Sequence, residues 1–317
     1  MKKTLAMLLA VLMVLALCAC GSSSAEQLTF ATGGTSGTYY GFSGVIANVL
    51  NDKLKDTLNI TVESTGASKA NIQMLESGDA DIAIVQNDVM YYAYTATDLF
   101  AGETAITNFS AVCSCYPEYV QILAKSDITS IDQLAGKNVS VGDAGSGTEF
   151  NAKQILAAYG LSFDDINVSN QSFADSADSL RNGTIDAAFV VAGYPTTAVT
   201  ELATNFNFNL LGIDADHAQA LQSDYGFYYY GVIPGGTYAP VADDVPAVAV
   251  MATIVAANDV SEDVIYAFLT GLFDYKADIT AGHVKGNELD LNTAVSGVSI
   301  PWHAGALKYF TEKGLDI

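Results

Sequence analysis

From Leu28 onward, apolar runs of strand length alternate with stretches of helical periodicity along almost the whole chain. Strand-like runs fall at 28–31, 58–63, 82–85, 111–115, 120–124, 139–141, 166–169, 187–191, 228–233 and 249–255. Between them, residues 39–51, 69–76, 150–159, 175–181, 196–204 and 263–278 repeat their apolar positions with a helical period. Regular alternation of the two periods predicts α/β architecture with parallel strands. Ser68 and Ser261 stand where N-caps are expected, and Gly160 and Gly183 where helices should stop.

Superimposed on this pattern is a repeat. Leu28-Thr29-Phe30-Ala31 runs into Gly33-Gly34-Thr35-Ser36-Gly37-Thr38, and Val139-Ser140-Val141 runs into Gly142-Asp143-Ala144-Gly145-Ser146-Gly147-Thr148. The shared Ser-Gly-Thr recurs 110 residues apart, and Leu75-x-x-Gly78-x-x-Asp81-x-Ala83 returns as Leu180-x-x-Gly183-x-x-Asp186-x-Ala188 at a spacing of 105. Two matches in the same order predict two related lobes. A helix that opens at each Ser-Gly-Thr offers free N–H groups and a positive dipole end. Two such ends facing across a cleft form a clamp for a small anion or zwitterion.

Composition separates the export signal from the folded body. Lys2-Lys3 precede an apolar stretch, Leu5 to Leu17, that is too short to span a bilayer stably. Leu17-Cys18-Ala19-Cys20-Gly21 follows, and this resembles a bacterial lipobox. The reading is a signal peptide over 1–19, a lipid on Cys20 and a tether over 20–27; an ordinary secretory signal is the alternative. The 317 residues carry 13 Lys+Arg against 35 Asp+Glu, a net charge of −22. So acidic a surface argues against a nucleic-acid partner, which needs clustered basic residues. Cys113 and Cys115 share one face of a strand and read as buried apolar side chains more readily than as a strained bridge. No metal-ligand spacing accompanies them, so no metal and no cofactor is expected.

The residues with chemistry to offer lie at strand-to-helix turns. Thr35, Ser36, Ser146 and Thr148 bring hydroxyls, and Gly147 allows a close approach of backbone to ligand. Tyr39 follows the first turn. Gln86 and Asn87 end an apolar strand at the carboxyl edge, where open α/β sheets bind ligands, and Tyr194 and Pro195 hold the matching edge of the second lobe. Plain helix capping or loop structure is the competing reading for each. Ser64 to Ser68 form a third, weaker turn of this kind. An enzyme is not expected: no G-x-S-x-G elbow, phosphate loop or H-E-x-x-H is present, and the three histidines are scattered.

Thr32-Gly33-Gly34-Thr35-Ser36-Gly37-Thr38-Tyr39-Tyr40 resembles the N-terminal signature of the TAXI family, the solute receptors of one branch of TRAP transporters. Similarity continues through Glu76–Ala83, Val85-Gln86-Asn87-Asp88, Gly145–Thr148 and Ala192–Pro195. Ile300-Pro301-Trp302-His303-Ala304-Gly305-Ala306-x-x-Tyr309-Phe310 is similar to the family's terminal segment, with Ala304 in place of its proline. The resemblance implies a two-lobed, type II-like periplasmic-binding-protein fold with a discontinuous first lobe, 28–112 plus 230–317, around a second lobe, 113–229. It also implies a lipid-anchored extracytoplasmic receptor that hands glutamate, glutamine or a 2-oxoglutarate-like anion to an ion-gradient-driven TRAP permease. By position, the matching cleft motifs place Thr35, Ser36, Tyr39, Gln86, Asn87, Ser146, Gly147, Thr148, Tyr194 and Pro195 at the ligand. A lipoprotein that serves a signalling receptor or an ATP-driven importer is the alternative, and a surface hydrolase a distant third.

Overall fold

A computed structural model describes residues 25–317; the expected signal peptide, Cys20 and most of the expected tether lie outside the described residues. The first lobe starts as β1 (Glu26–Ala31), α1 (Thr38–Lys53), β2 (Leu58–Glu63), α2 (Ser68–Ser77), β3 (Ile82–Gln86) and α3 (Asn87–Thr95). A long strand, β4 (Phe109–Ala124), then leaves it. The second lobe follows as β5 (Asn138–Ser140), α4 (Gly147–Ala158), β6 (Asn167–Ser169), α5 (Phe173–Arg181), β7 (Ala187–Ala192), α6 (Thr197–Ala203), β8 (Asn209–Leu211), α7 (Ala215–Tyr225) and β9 (Tyr229–Ile233). A second long strand, β10 (Val245–Ala257), returns, and α8 (Glu262–Asp274), α9 (Lys276–Gly282) and α10 (Ala304–Glu312) complete the first lobe.

The strand order is β2-β1-β3-β10-β4-β7-β5-β6, with β8 on β4 and β9 on β10. Within each lobe the three βα strands are parallel: β1 with β2 and β3, β5 with β6 and β7. The two long strands run antiparallel between them and belong to both lobes. Their ends toward 109–116 and 252–257 pack in the first-lobe cores with Phe30, Ile84 and Phe109, whereas Val120, Ile122, Val248 and Val250 pack with Phe189 and Ile155 in the second. The crossing therefore lies near Pro117-Glu118 on β4 and Met251 on β10, beside a shift in their register.

Here the expected domain boundary is corrected. Residues 230–250 belong to the second lobe, because β9 pairs with the first half of β10 and Ile233, Tyr238, Val241, Val245 and Ala247 share a core with Leu123 and Val190. A hairpin through Gly235-Gly236, with Gly236 at φ +80°, turns β9 into β10 before the chain crosses back. The runs at 111–115 and 120–124 are one strand; Pro117 interrupts the pattern but sits at the crossing, where the ladder changes partners. The stretch expected as a single helix over 263–278 breaks at Tyr275 into α8 and α9.

The second repeat has a structural cause. Gly78 and Gly183 take positive φ, +79° and +77°, and end the chain's turn after α2 and α5. Three residues later Asp81 accepts the Thr29 N–H at 2.7 Å, and Asp186 accepts the Asn138 N–H at 2.9 Å. In both lobes the aspartate thus ties the start of a new strand to the strand already laid beside it. Cys113 and Cys115 are buried and unbridged.

Candidate functional site

Where the lobes meet, they line a cavity of about 40 Å³. Four helices begin at its wall. Thr38 and Tyr39 of α1 and Ser68 of α2 come from the first lobe; Gly147 and Thr148 of α4 and Phe173 of α5 come from the second. No side-chain hydrogen bond caps α1 or α2, so their first amides, at the cavity wall, have no protein partner of that kind. On α4, Ser146 is the N-cap, and its Oγ accepts the Glu149 N–H at 3.2 Å. The helix start therefore falls one residue earlier in the second Ser-Gly-Thr than in the first, where Gly37 is the N-cap. Ala67, which precedes α2 at the wall, is held at φ +68°, ψ −150°, a conformation that strains a residue with a Cβ.

Lysine, arginine and histidine are absent from the wall; its charged residues are Glu118 and Asp143. Glu118 sits at the crossing of β4, 2% exposed, and Tyr39 Oη donates to its Oε1 at 2.5 Å. Burial pushes the Glu118 carboxyl well above the ordinary glutamate range, against the lowering effect of the Tyr39 hydrogen bond and the more distant Lys285 charge. Burial and then Glu118 push the Tyr39 phenol up in turn. Asp143 is raised by burial and by Asp175. Gln86, 2% exposed at the end of β3, keeps a buried Oε1 with no hydrogen-bond partner.

The lobes are closed on each other. Thr38 Oγ1 donates to the Gly193 carbonyl at 2.8 Å, and the Ala198 N–H donates to the Ser36 carbonyl at 3.2 Å. A Cβ built on Gly147 would lie 1.8 Å from Gln86 Oε1 of the opposite lobe, so only glycine permits this approach. At one flank Lys285, 1% exposed, lies with Nζ 4.7 Å from the Tyr194 ring centroid and 5.5 Å from that of Tyr116 while paired to Glu288 at 2.6 Å.

Of the residues picked from sequence, Ser36, Tyr39, Gln86, Ser146, Gly147 and Thr148 come together at this wall. Thr35 is exposed outside it. Asn87 turns away: its Oδ1 accepts the Met251 N–H at 3.0 Å and its Nδ2 donates to the Gly297 carbonyl at 3.2 Å, which ties α3 to the returning strand. Tyr194 packs edge-on against Tyr119 and beneath Lys285, and Pro195 is exposed. Sequence reasoning missed Glu118, whose Pro117-Glu118 position looks like a break between strands, and Phe173 and Asp143. Among the described residues no cluster could hold a metal ion, and no helix is long and apolar enough to cross a membrane.

The architecture matches solved binding proteins. The alkanesulfonate-binding protein SsuA from Xanthomonas axonopodis pv. citri, bound to MOPS, aligns at TM-score 0.52 and 16% identity over 91% of this chain and 84% of that one. PhnD1 from Prochlorococcus marinus, in complex with methylphosphonate, aligns at TM-score 0.56 and 10% identity over 91% and 98%. A ligand-binding component of an ABC-type import system from Staphylococcus aureus aligns at 0.50 and 10% over 83% of each chain. These place the fold among two-lobed periplasmic binding proteins. Residues 30–314 match the sequence profile of the NMT1-like family, and the chain belongs to that family.

Proposed function

We propose that this protein is an extracytoplasmic receptor that closes its lobes over a small organic anion or amino acid and passes it to a membrane transporter. One observation carries the reading: four helices begin at one interlobe cavity that no lysine or arginine lines. Helix N-termini then supply the positive end for a carboxylate. The acceptors opposite, Glu118 and the orphan Gln86 Oε1, suit an ammonium or amide group. Glutamate or glutamine therefore stands ahead of 2-oxoglutarate, which would bring a second anion toward Glu118 and Asp143.

An ATP-driven importer is the transporter this reading takes, in keeping with the named structural relatives. A TRAP permease is the second reading, favoured by the Thr32–Tyr40 and Ile300–Phe310 signatures. A lipid on Cys20 would hold the receptor at the membrane beside either. No catalysis is included: Ser146 Oγ serves as a helix cap, and no histidine lies at the wall.

A thermal-shift screen of the purified protein tests the ligand class, with amino acids, 2-oxo acids, dicarboxylates, alkanesulfonates and alkylphosphonates. Ligand at a hundred times its dissociation constant adds about 2.7 kcal/mol, a shift of a few degrees for a chain this size. Glutamate or glutamine is the expected hit. A hit confined to sulfonates or phosphonates would overturn the amino-acid assignment, and silence across the panel would overturn the ligand class.

A further inference from the structure

Outside the cavity wall, a second set of buried polar groups spans the lobes. Asp88, 1% exposed in the first turn of α3, accepts the Val89 N–H at 2.8 Å and the Asn151 Nδ2–H of α4 in the other lobe at 2.9 Å. Asn151 Nδ2 also donates to Tyr228 Oη at 2.8 Å, Tyr228 Oη donates to Gln154 Oε1 at 2.5 Å, and Gln154 Nε2 donates back to Tyr92 Oη of the first lobe at 3.2 Å. Around this chain Tyr92 packs edge-on against Phe150 and Phe227, and Tyr91 tilts against Phe227. Every link between Asp88 or Tyr92 and the second lobe is made only while the lobes are together.

We propose that this cluster is a latch whose closing takes up a proton, so that acid draws the lobes together even without ligand. Asp88 enters the closed interface with no cation to meet it: among the described residues no lysine or arginine forms an ion pair with it. The ionisable groups that face it are Asp98 after α3, Glu118 from β4, and the phenols of Tyr92 on α3 and Tyr228 before β9. All are acidic. Lys153, on α4 beside Asn151, is exposed to solvent. Opening removes Asn151 and Tyr228 and admits water, which restores an ordinary carboxylate.

The sign follows from the two states. In the closed state burial raises the Asp88 carboxyl to about 6, against the hydrogen bonds from Asn151 and Val89. The open state, with an ordinary value near 4, holds the proton less firmly. Closure is therefore favoured as pH falls through 6 and weakened as it rises. Between pH 7.5 and pH 5 the closure constant should rise about tenfold.

Small-angle X-ray scattering on the protein stripped of co-purified ligand tests this. Wild type should contract from pH 7.5 to pH 5. Asp88→Asn, which carries the neutral form permanently, should stay compact across that range. Asn151→Ala, which leaves Asp88 in place, should be the more open at pH 7.5 and regain compactness at pH 5. Burial raises Glu118 at the lobe crossing as well, and Asp88 raises it further, so the comparison is repeated in a Glu118→Gln background: Glu118→Gln alone should keep the contraction, and the Glu118→Gln/Asp88→Asn double variant should lose it. A radius that does not change with pH in wild type overturns the proposal. So does a contraction that disappears with Glu118→Gln or survives in the double variant. None of these measurements uses a ligand, so they stand or fall apart from the proposed solute.

Discussion

Gly147→Ala should separate closure from folding. Gly147 opens α4 at the cavity wall, and the methyl it would gain falls 1.8 Å from Gln86 Oε1 and 2.5 Å from Gln86 Cδ, both across the lobe boundary. In an open protein that methyl meets nothing of Gln86. In the closed one, the Gln86 amide must swing away, into the space proposed for the ligand. Forcing a methyl into a packed site costs about 1–3 kcal/mol, which falls on the closed state alone. Ligand affinity should drop about 5- to 150-fold. Helix propensity acts in the other direction on the fold itself, since alanine is the better helix former. The melting temperature without ligand should hold steady or rise slightly.

Calorimetric titration with the ligand returned by the thermal-shift screen, alongside melting curves of the ligand-free variant, reads both effects. Gln86→Ala in the same chain should relieve the clash, so the double variant should bind better than the sum of the two single losses predicts. Unchanged affinity in Gly147→Ala would refute the reasoning, because the lobes would then close without bringing Gln86 to α4. A large fall in ligand-free stability would refute it too, by showing that Gly147 matters to the fold and not to closure.

Three further outcomes follow from particular side chains. Glu118→Gln should stabilise the protein at pH 8 and give no gain at pH 4: the folded state holds the Glu118 proton more tightly than the unfolded chain does, so wild type loses stability as pH rises above the ordinary glutamate range. Thermal melts at the two values read the difference. Asp186→Ala should lose about 1.5 kcal/mol in urea unfolding at pH 7, because it removes the acceptor for the Asn138 N–H and the partner of Lys125 at 2.7 Å. Asp186 is held below the ordinary aspartate range by Lys125 and the Asn138 N–H in spite of partial burial, so that contribution should fade as pH falls through its lowered value. Lys285→Met should weaken ligand binding by about 1 kcal/mol, since it removes the ammonium that meets the Tyr194 ring across the lobes; an unchanged dissociation constant would place that contact outside closure.

The parts of the fold that showed in the sequence are those whose causes are local. Ile82 to Val85 is buried on both faces and reads as an unbroken apolar run, as strands covered by helices on both sides do. Gly78 and Gly183 announce helix ends because only glycine turns there without strain, and the aspartates three residues on announce the strand each one ties down. That pairing explains why the repeat is legible at all: each lobe needs the same stop, turn and start.

What stayed hidden depends on contacts between distant segments. No local signal distinguishes a proline that ends a strand from Pro117, which a strand tolerates where its partner changes lobes. Asn87 looks like a cleft amide because it ends a strand at the carboxyl edge, yet the Met251 N–H, 164 residues away, claims its oxygen. Glu118 is the strongest case. Its neighbours in sequence give it no role, and its buried carboxyl acquires one only when β4 brings it under Tyr39 and α4 closes from the other lobe. The same argument covers Asp88, read from sequence only as part of Val85-Gln86-Asn87-Asp88 and given a partner by Asn151 across the cleft. The chemistry of this protein therefore lies at the boundary between its lobes, where residues that form no local pattern become neighbours on closure.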